Sequence, residues 1–300
     1  MLFSKNPPEI SYLGLPSEFS NKKTQIGSYL DLIACIASTC TYNLSLDIKI
    51  VCLDISEFNF SPKFFEEVIE EESPAISKII DETNSLISKN NIRICFYIGK
   101  DYFIGSQLEE SYINSIKLIR SLSSVLDALG VNYPALMLRI GSAYGNRKST
   151  MDDFCKKISD LESRIISRIC VMNDDKPSLF SVTDLLSGVY YKCSIPIGFR
   201  VLPHQFNDGG LSVREALFLS CSTWDRLKKP LVFYSESCET DLNGISLSSK
   251  PAEILTRRIP TFGLDIDVVI ISSSKEDSCL KYRMDYKSLP PVVINKISSK

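Results

Sequence analysis

The sequence predicts an α/β chain folded as a single (β/α)8 TIM barrel, and three observations carry that prediction. Eight short apolar runs rich in β-branched residues alternate with longer segments of helical period. The runs are nearly continuous hydrophobics rather than apolar/polar alternation, as parallel strands covered on both faces are. No linker or composition shift divides the 300 residues, 44% of them hydrophobic and 23% charged. That length suits one large barrel or two smaller domains, and a strand–helix repeat with fixed crossover handedness selects the barrel.

Residues 10–14 and 48–53 supply the first two strands, and residues 28–40 between them have helix-length periodicity. Residues 64–89 carry the next helical pattern. The acidic run from Glu66 to Glu72 within it reads as a solvated helix face, with an acidic docking site as the alternative. Residues 92–97 form strand three. In the helix expected over 109–129, Tyr112, Ile116, Ile119, Leu122, Leu126 and Leu129 fall at steps of three or four and make one stripe for packing on the sheet. Gly130 then supplies a left-handed stop. Strand four (135–140) precedes a helix over 151–166, and strand five (169–172) precedes one over 181–191. There Ser181-Val-Thr-Asp184 has the form of an N-terminal capping box, with Asp as a shorter-armed acid. Strand six (197–201) leads to a helix over 212–221, strand seven (231–234) to one over 251–258, and strand eight (267–271) to one over 275–286. The single domain spans 1–300, with the barrel over about 10–286 and a short tail over 287–300.

A formal net charge of −2 and a pI near 5.7 give no global attraction to phosphate, so any nucleic-acid contact has to come from a local cluster of Lys and Arg. Lys22-Lys23, Arg147-Lys148, Lys156-Lys157 and Lys228-Lys229 are candidate patches, each equally an ordinary solvated pair. Ten cysteines are scattered without a CxxC pair, several inside apolar runs such as Ile50-Val-Cys-Leu53. That is the pattern of buried free thiols in a reducing compartment. With one histidine, His204, and no clustered cysteine, a zinc site is not expected. The N-terminus lacks the basic and apolar regions of a signal peptide, and no apolar run of roughly 18 residues suggests a membrane span. The expected setting is intracellular: cytoplasm, nucleus or virion interior.

Functional residues of such a barrel project from the C-terminal ends of the strands. Leu13-Gly-Leu-Pro-Ser-Glu18, in the first of these positions, resembles the opening L-G-Y-P-x-E of the UV damage endonuclease family. Leu138-Arg-Ile-Gly-Ser-Ala-Tyr-Gly145 resembles that family's L-H-x-G-G-A-Y-G. Asn173-Asp-Asp175 and Ser181-Val-Thr-Asp-Leu-Leu186 resemble its E-N-D-D and S-V-E-D-L-L, and Glu215-Ala-Leu217, Thr223-Trp224 and Lys229-Pro230 its E-A-L, T-W and K-P. Colinearity over roughly residues 10 to 276 is more specific than any one match.

The resemblance implies a repair nuclease that binds two or three divalent ions through His, Asp and Glu at the strand ends and cuts the phosphodiester 5′ to a photoproduct. This sequence departs from that pattern at almost every ligand. The family's H-P-G-Q-Y is Tyr97-Ile-Gly-Lys-Asp101, so the lesion-probing Gln-Tyr pair is Lys100-Asp101. The histidine after strand four is Arg139, and the glutamate of E-N-D-D is Met172. In the D-x-x-H-H segment the aspartate is Arg200, the first histidine is Pro203, and only His204 remains. The K-V-H histidine is Phe233, the last-strand glutamate Ile271 and the following-loop histidine Ser246, while Phe58-Asn-Phe-Ser-Pro62 offers no second-strand histidine. Met, Phe, Ile and Pro donate no hard oxygen or imidazole to a divalent cation. No metal and no cofactor are therefore expected.

Arg139 and Arg200 admit two readings. A guanidinium bridges to Asp174 or Asp175 and holds the barrel without ions, or Lys100, Arg139, Arg200 and His204 form an anion pocket for a phosphate or nucleotide. Pairing is favoured, because a buried charge is costly unless it is paired. His204 is read as a histidine satisfied by a backbone carbonyl rather than as a general base, and Trp224 as packing between helix and barrel. Three functions stay open: a catalytically inactive relative of the endonuclease serving as a structural or protein-interaction subunit, a metal-independent DNA-binding relative, and the repair endonuclease itself. The ligand pattern and the charge favour the first, with protein partners and no membrane.

Overall fold

The computed structural model of the chain describes residues 7–19, 22–66, 74–99, 101–224, 228–242 and 244–291. Eight parallel strands form the barrel: β1 (Glu9–Tyr12), β2 (Ile50–Asp54), β3 (Arg93–Ile98), β4 (Leu136–Leu138), β5 (Ile169–Met172), β6 (Ile197–Arg200), β7 (Leu231–Tyr234) and β8 (Asp267–Ile270). From β2 to β8 each strand pairs in parallel with the next, and β8 pairs in parallel with β1. A bridge between Leu13 and Cys52 closes the ring. All eight predicted strands are present, and their near-complete burial explains why they lack a polar face.

Helices cover most of the outer wall. Tyr29–Ser45 starts on Ser28, whose side chain accepts from Asp31 N. Glu109–Ala128 turns the predicted stripe inward, and Gly130 follows it at a φ of 63°. Ser181 and Asp184 form the full capping box at the start of Val182–Leu185, and Ser212 and Glu215 form another at Val213–Ser222.

Several boundaries differ from expectation. The pattern over 64–89 resolves into a 3-10 turn, Pro62–Phe65, and a helix, Pro74–Asn90; most of the acidic run between them lies outside the described residues. The segment over 151–166 starts earlier, at Arg147, because Asn146 caps the backbone of Lys148 and Ser149, and it divides into Arg147–Ser159 and Ser163–Ile166. Residues 251–258, expected as a helix, are not helical. The carboxylate of Glu236 takes the backbone N–H groups of Thr256 and Arg257, donors that a helix would send to carbonyls four residues back. A parallel ribbon, Thr24–Ile26 with Phe58–Phe60, and the short helix Val201–Phe206 were not anticipated. The tail predicted from residue 287 begins in contact with the body of the protein, since Arg258 donates to the carbonyls of Lys287 and Pro290; residues 292–300 lie outside the described set.

One ring contact identifies the lumen. Tyr97 on β3 and Phe233 on β7 meet at 5.5 Å although their strands are not neighbours, so both point across the barrel. In-register partners share a face, which places Asp54, Met137, Arg200 and Val269 on the lumen side as well. Gly198 belongs to this face, and a Cβ there would stand 3.1 Å from Cys170 Sγ and 3.4 Å from Met172 Cγ. The lumen is thus a packed core, with Cys52, Cys95 and Cys170 at its middle level. At the bottom Arg93 on β3 reaches Asp267 on β8 at 2.8 Å, a salt bridge between strands that are not adjacent.

Candidate functional site at the barrel mouth

The upper end of the lumen collects the side chains that follow the strand ends. By strand alternation Tyr97, Arg139, Met172, Arg200, Phe233 and Ile271 occupy this level, and these are the positions where the resemblance places ligands. Their side chains are a phenol, two guanidiniums, a thioether, a phenyl ring and an alkyl group.

Arg139 Nη1 donates to Asp174 Oδ1 at 2.8 Å, with the arginine side chain 15% exposed and the aspartate 1%. Its guanidinium also lies over the Phe103 ring. Burial pushes the Asp174 carboxyl above its ordinary range, with Arg139 and then Arg200 pulling it back. Arg200 is held differently. Asn173, fully buried, accepts from Arg200 N through Oδ1 and donates to Arg200 O through Nδ2, locking the backbone of β6 to the loop after β5. The Arg200 guanidinium donates to Asn173 O at 3.2 Å and lies over the Tyr97 ring, without a carboxylate partner among the described residues. The Nε atoms of both arginines are buried and have no hydrogen-bond partner among the described residues.

His204 stands apart from them. It sits on the helix Val201–Phe206, and its ring packs edge-on against Phe199, whose side chain alternates with the lumen-facing Gly198 and Arg200 and so points into the helix layer. His204 Nε2 lies 3.0 Å from Leu211 O, and because a carbonyl oxygen only accepts, the proton of this contact is on that nitrogen. Of the four residues of the expected anion pocket, Arg139 and Arg200 come together, His204 does not join them, and Lys100 lies outside the described residues. Trp224 is buried and donates from Nε1 to Ile197 O at 2.8 Å, fixing the base of β6.

Burial lowers the His204 pKa below its ordinary value of 6.5. A folded-state pKa below the unfolded value means stability that is present above pH 6.5 and is lost as pH falls through the folded value. The chain has one histidine, so a proton NMR titration reads a single imidazole, expected to titrate below 6.5. A value at or above 6.5 contradicts the buried, neutral assignment.

The first-strand loop is clasped from the opposite side. Gly14 has a φ of 100°, and the Glu57 carboxylate occupies the space a Cβ would need, 2.6 Å away. Glu57 accepts from Leu15 N and from Lys275 Nζ, which also donates to Leu15 O. This explains the Gly in Leu13-Gly-Leu-Pro and ties β1 to the loops after β2 and β8.

A divalent cation, implied by the resemblance, does not fit the donor set at the mouth. Asp174 is bound to Arg139, Asp54 Oδ1 caps Ser56 N, Glu57 is bound to Lys275, and two guanidiniums share the level. Among the described residues no three His, Cys, Asp or Glu side chains are grouped to hold a metal ion. No helix among them is long and apolar enough to cross a membrane.

A closed ring of eight parallel strands, with helices in the connections between them, defines the (β/α)8-barrel class. Within that class the match is to one family: the model described as UV-endonuclease UvdE covers residues 24–298, and the chain belongs to this family. The UV DNA damage endonuclease of Clostridium perfringens is 29% identical over 149 residues, 49% of this chain and 35% of that protein. That of Bacillus cereus is 27% identical over 141 residues, 47% of this chain and 44% of that protein. The match thus spans less than half the length of these relatives. In three dimensions the crystal structure of SacUVDE superposes with a TM-score of 0.77 at 22% identity, over 94% of this chain and 99% of that one. Endonuclease IV from Thermus thermophilus gives 0.55 at 12% identity, over 93% and 99%. At these identities the structural likeness is one of fold.

Proposed function

We propose that this chain is a catalytically inactive member of the UvdE family, acting as a structural or protein-interaction subunit. The observation that carries this reading is the composition of the upper lumen, where Tyr97, Arg139, Met172, Arg200, Phe233 and Ile271 stand. Hydrolysis of a phosphodiester needs an activated water and neutralisation of charge on the phosphoryl oxygens. Arginine supplies charge but neither activates water nor accepts a proton. His204, the one imidazole, lies in the helix layer with its proton committed to Leu211.

The test is a nicking assay on ultraviolet-irradiated plasmid with manganese present. The expected result is no strand cleavage above that of a mock preparation. Cleavage that grows with enzyme and with ultraviolet dose overturns the reading.

A further inference from the structure

We propose that Arg139 and Arg200 form a metal-independent binding site for a phosphate group at the barrel mouth. The two guanidiniums are anchored on consecutive residues, Arg200 on Asn173 O and Arg139 on Asp174 Oδ1. They therefore converge from strands β4 and β6 on the loop between them. Each guanidinium carries five donors, and in each only one is engaged among the described residues, with Nε of both buried and unpartnered. Asp174 supplies one carboxylate near two cations, and among the described residues Arg200 has none within salt-bridge distance. A half-buried cation with idle donors is costly to keep, and an oxyanion that accepts from both forks relieves that cost.

Phosphate suits the geometry better than a carboxylate does. Two guanidiniums approaching from different strands need more than the two oxygens of a carboxylate if each is to bind in its preferred fork. The walls of the site are the Tyr97 and Phe103 rings, over which the two guanidiniums already lie. These faces limit rotation of the arginines and hold their forks in place. The group can arrive as free phosphate, on a nucleotide or within a nucleic-acid strand, and the site chemistry is the same in each case.

The experiment is isothermal titration of the full chain in EDTA with three probes: inorganic phosphate, a nucleoside 5′-monophosphate, and a short single-stranded oligonucleotide without terminal phosphates. Saturable, metal-independent binding of at least one probe is expected, weakened at least about tenfold by Arg200→Met. Preference among the probes distinguishes a free or nucleotide phosphate from a strand. Among the described residues the Arg200 side chain donates only to a carbonyl, so this variant is expected to fold, and circular dichroism checks that it does. Lys78→Ala, exposed on the helix Pro74–Asn90 and 3.8 Å from Glu82, serves as a control expected to bind like the parent. Failure of all three probes to bind, or equal binding by Arg200→Met, overturns the site. The readout is separate from the nicking assay: cleavage would remove the inactive reading without touching the phosphate site, and absent binding would do the reverse.

Discussion

Arg93→Met is expected to destabilise the fold by roughly 3–5 kcal/mol, because it strands a buried carboxylate. Arg93 Nη1 donates at 2.8 Å both to Asp267 Oδ2 and to Lys229 O, and the two charged side chains are 9% and 11% exposed. The guanidinium also lies 5.3 Å from the Trp224 ring and 5.9 Å from Tyr133. Since β3 and β8 are separated around the ring, this contact spans the lumen and fixes the barrel's lower cross-section. Methionine keeps much of the volume but cannot donate. The double variant Arg93→Met/Asp267→Leu removes both charges together, and it is expected to return to within about 1 kcal/mol of the parent. Urea unfolding followed by fluorescence of Trp224, the single tryptophan, measures both. Equal losses in the single and double variants would place the cost in ring packing rather than in the unpaired charge.

The barrel was legible because burial on two faces leaves a periodic trace. All eight strands carry runs that no amphipathic surface strand would have, and the Tyr112 to Leu129 stripe reads directly as a helix packed on a sheet. The region after β7 was not legible, since Thr256 and Arg257 give their N–H groups to the side chain of Glu236, twenty residues away, and no local pattern records that. Leu13↔Cys52 closure and the Glu57–Lys275 clasp are likewise long-range. At the mouth, the sequence identified Arg139 and Arg200 and offered Asp174 as a partner, which is the carboxylate that Arg139 meets. Grouping His204 with them went astray for a geometric reason. Arg200 ends a strand facing the lumen, but the chain then turns into the helix Val201–Phe206, and four residues later the imidazole faces Phe199 on the outer side. Proximity in sequence across a strand-to-helix turn says little about which layer a side chain enters. Asn173 could have been singled out: a fully buried amide beside two charged positions has to find reciprocal partners, and it finds them on the Arg200 backbone.

Arg139→Met is expected to cost about 3–5 kcal/mol near neutral pH and less as the solution is made acidic. The Asp174 side chain is 1% exposed, its Oδ1 depends on Arg139, and its Oδ2 has no partner among the described residues. Burial already holds its pKa above the ordinary carboxylate range, and Arg139 is the largest of the opposing influences, ahead of Arg200, with Asp175 acting in the raising direction. Removing the guanidinium therefore raises the folded-state pKa further. For a group whose folded pKa exceeds its unfolded value, the stability it contributes is full below the unfolded pKa and is lost as pH rises through the folded one. The variant should accordingly be least stable where Asp174 must ionise, and most like the parent where it is protonated. Arg139→Met/Asp174→Asn has no carboxylate to strand, so its deficit should fall to about 1 kcal/mol and lose this pH dependence. Urea midpoints across the acid-to-neutral range decide the matter: a deficit in Arg139→Met that is constant with pH would show that Arg139 acts by filling space over Phe103. The predicted pattern instead makes Arg139 the counter-charge of a buried aspartate. With Asp174 paired to Arg139, Arg200 is the cation at the mouth whose remaining donors are unengaged among the described residues.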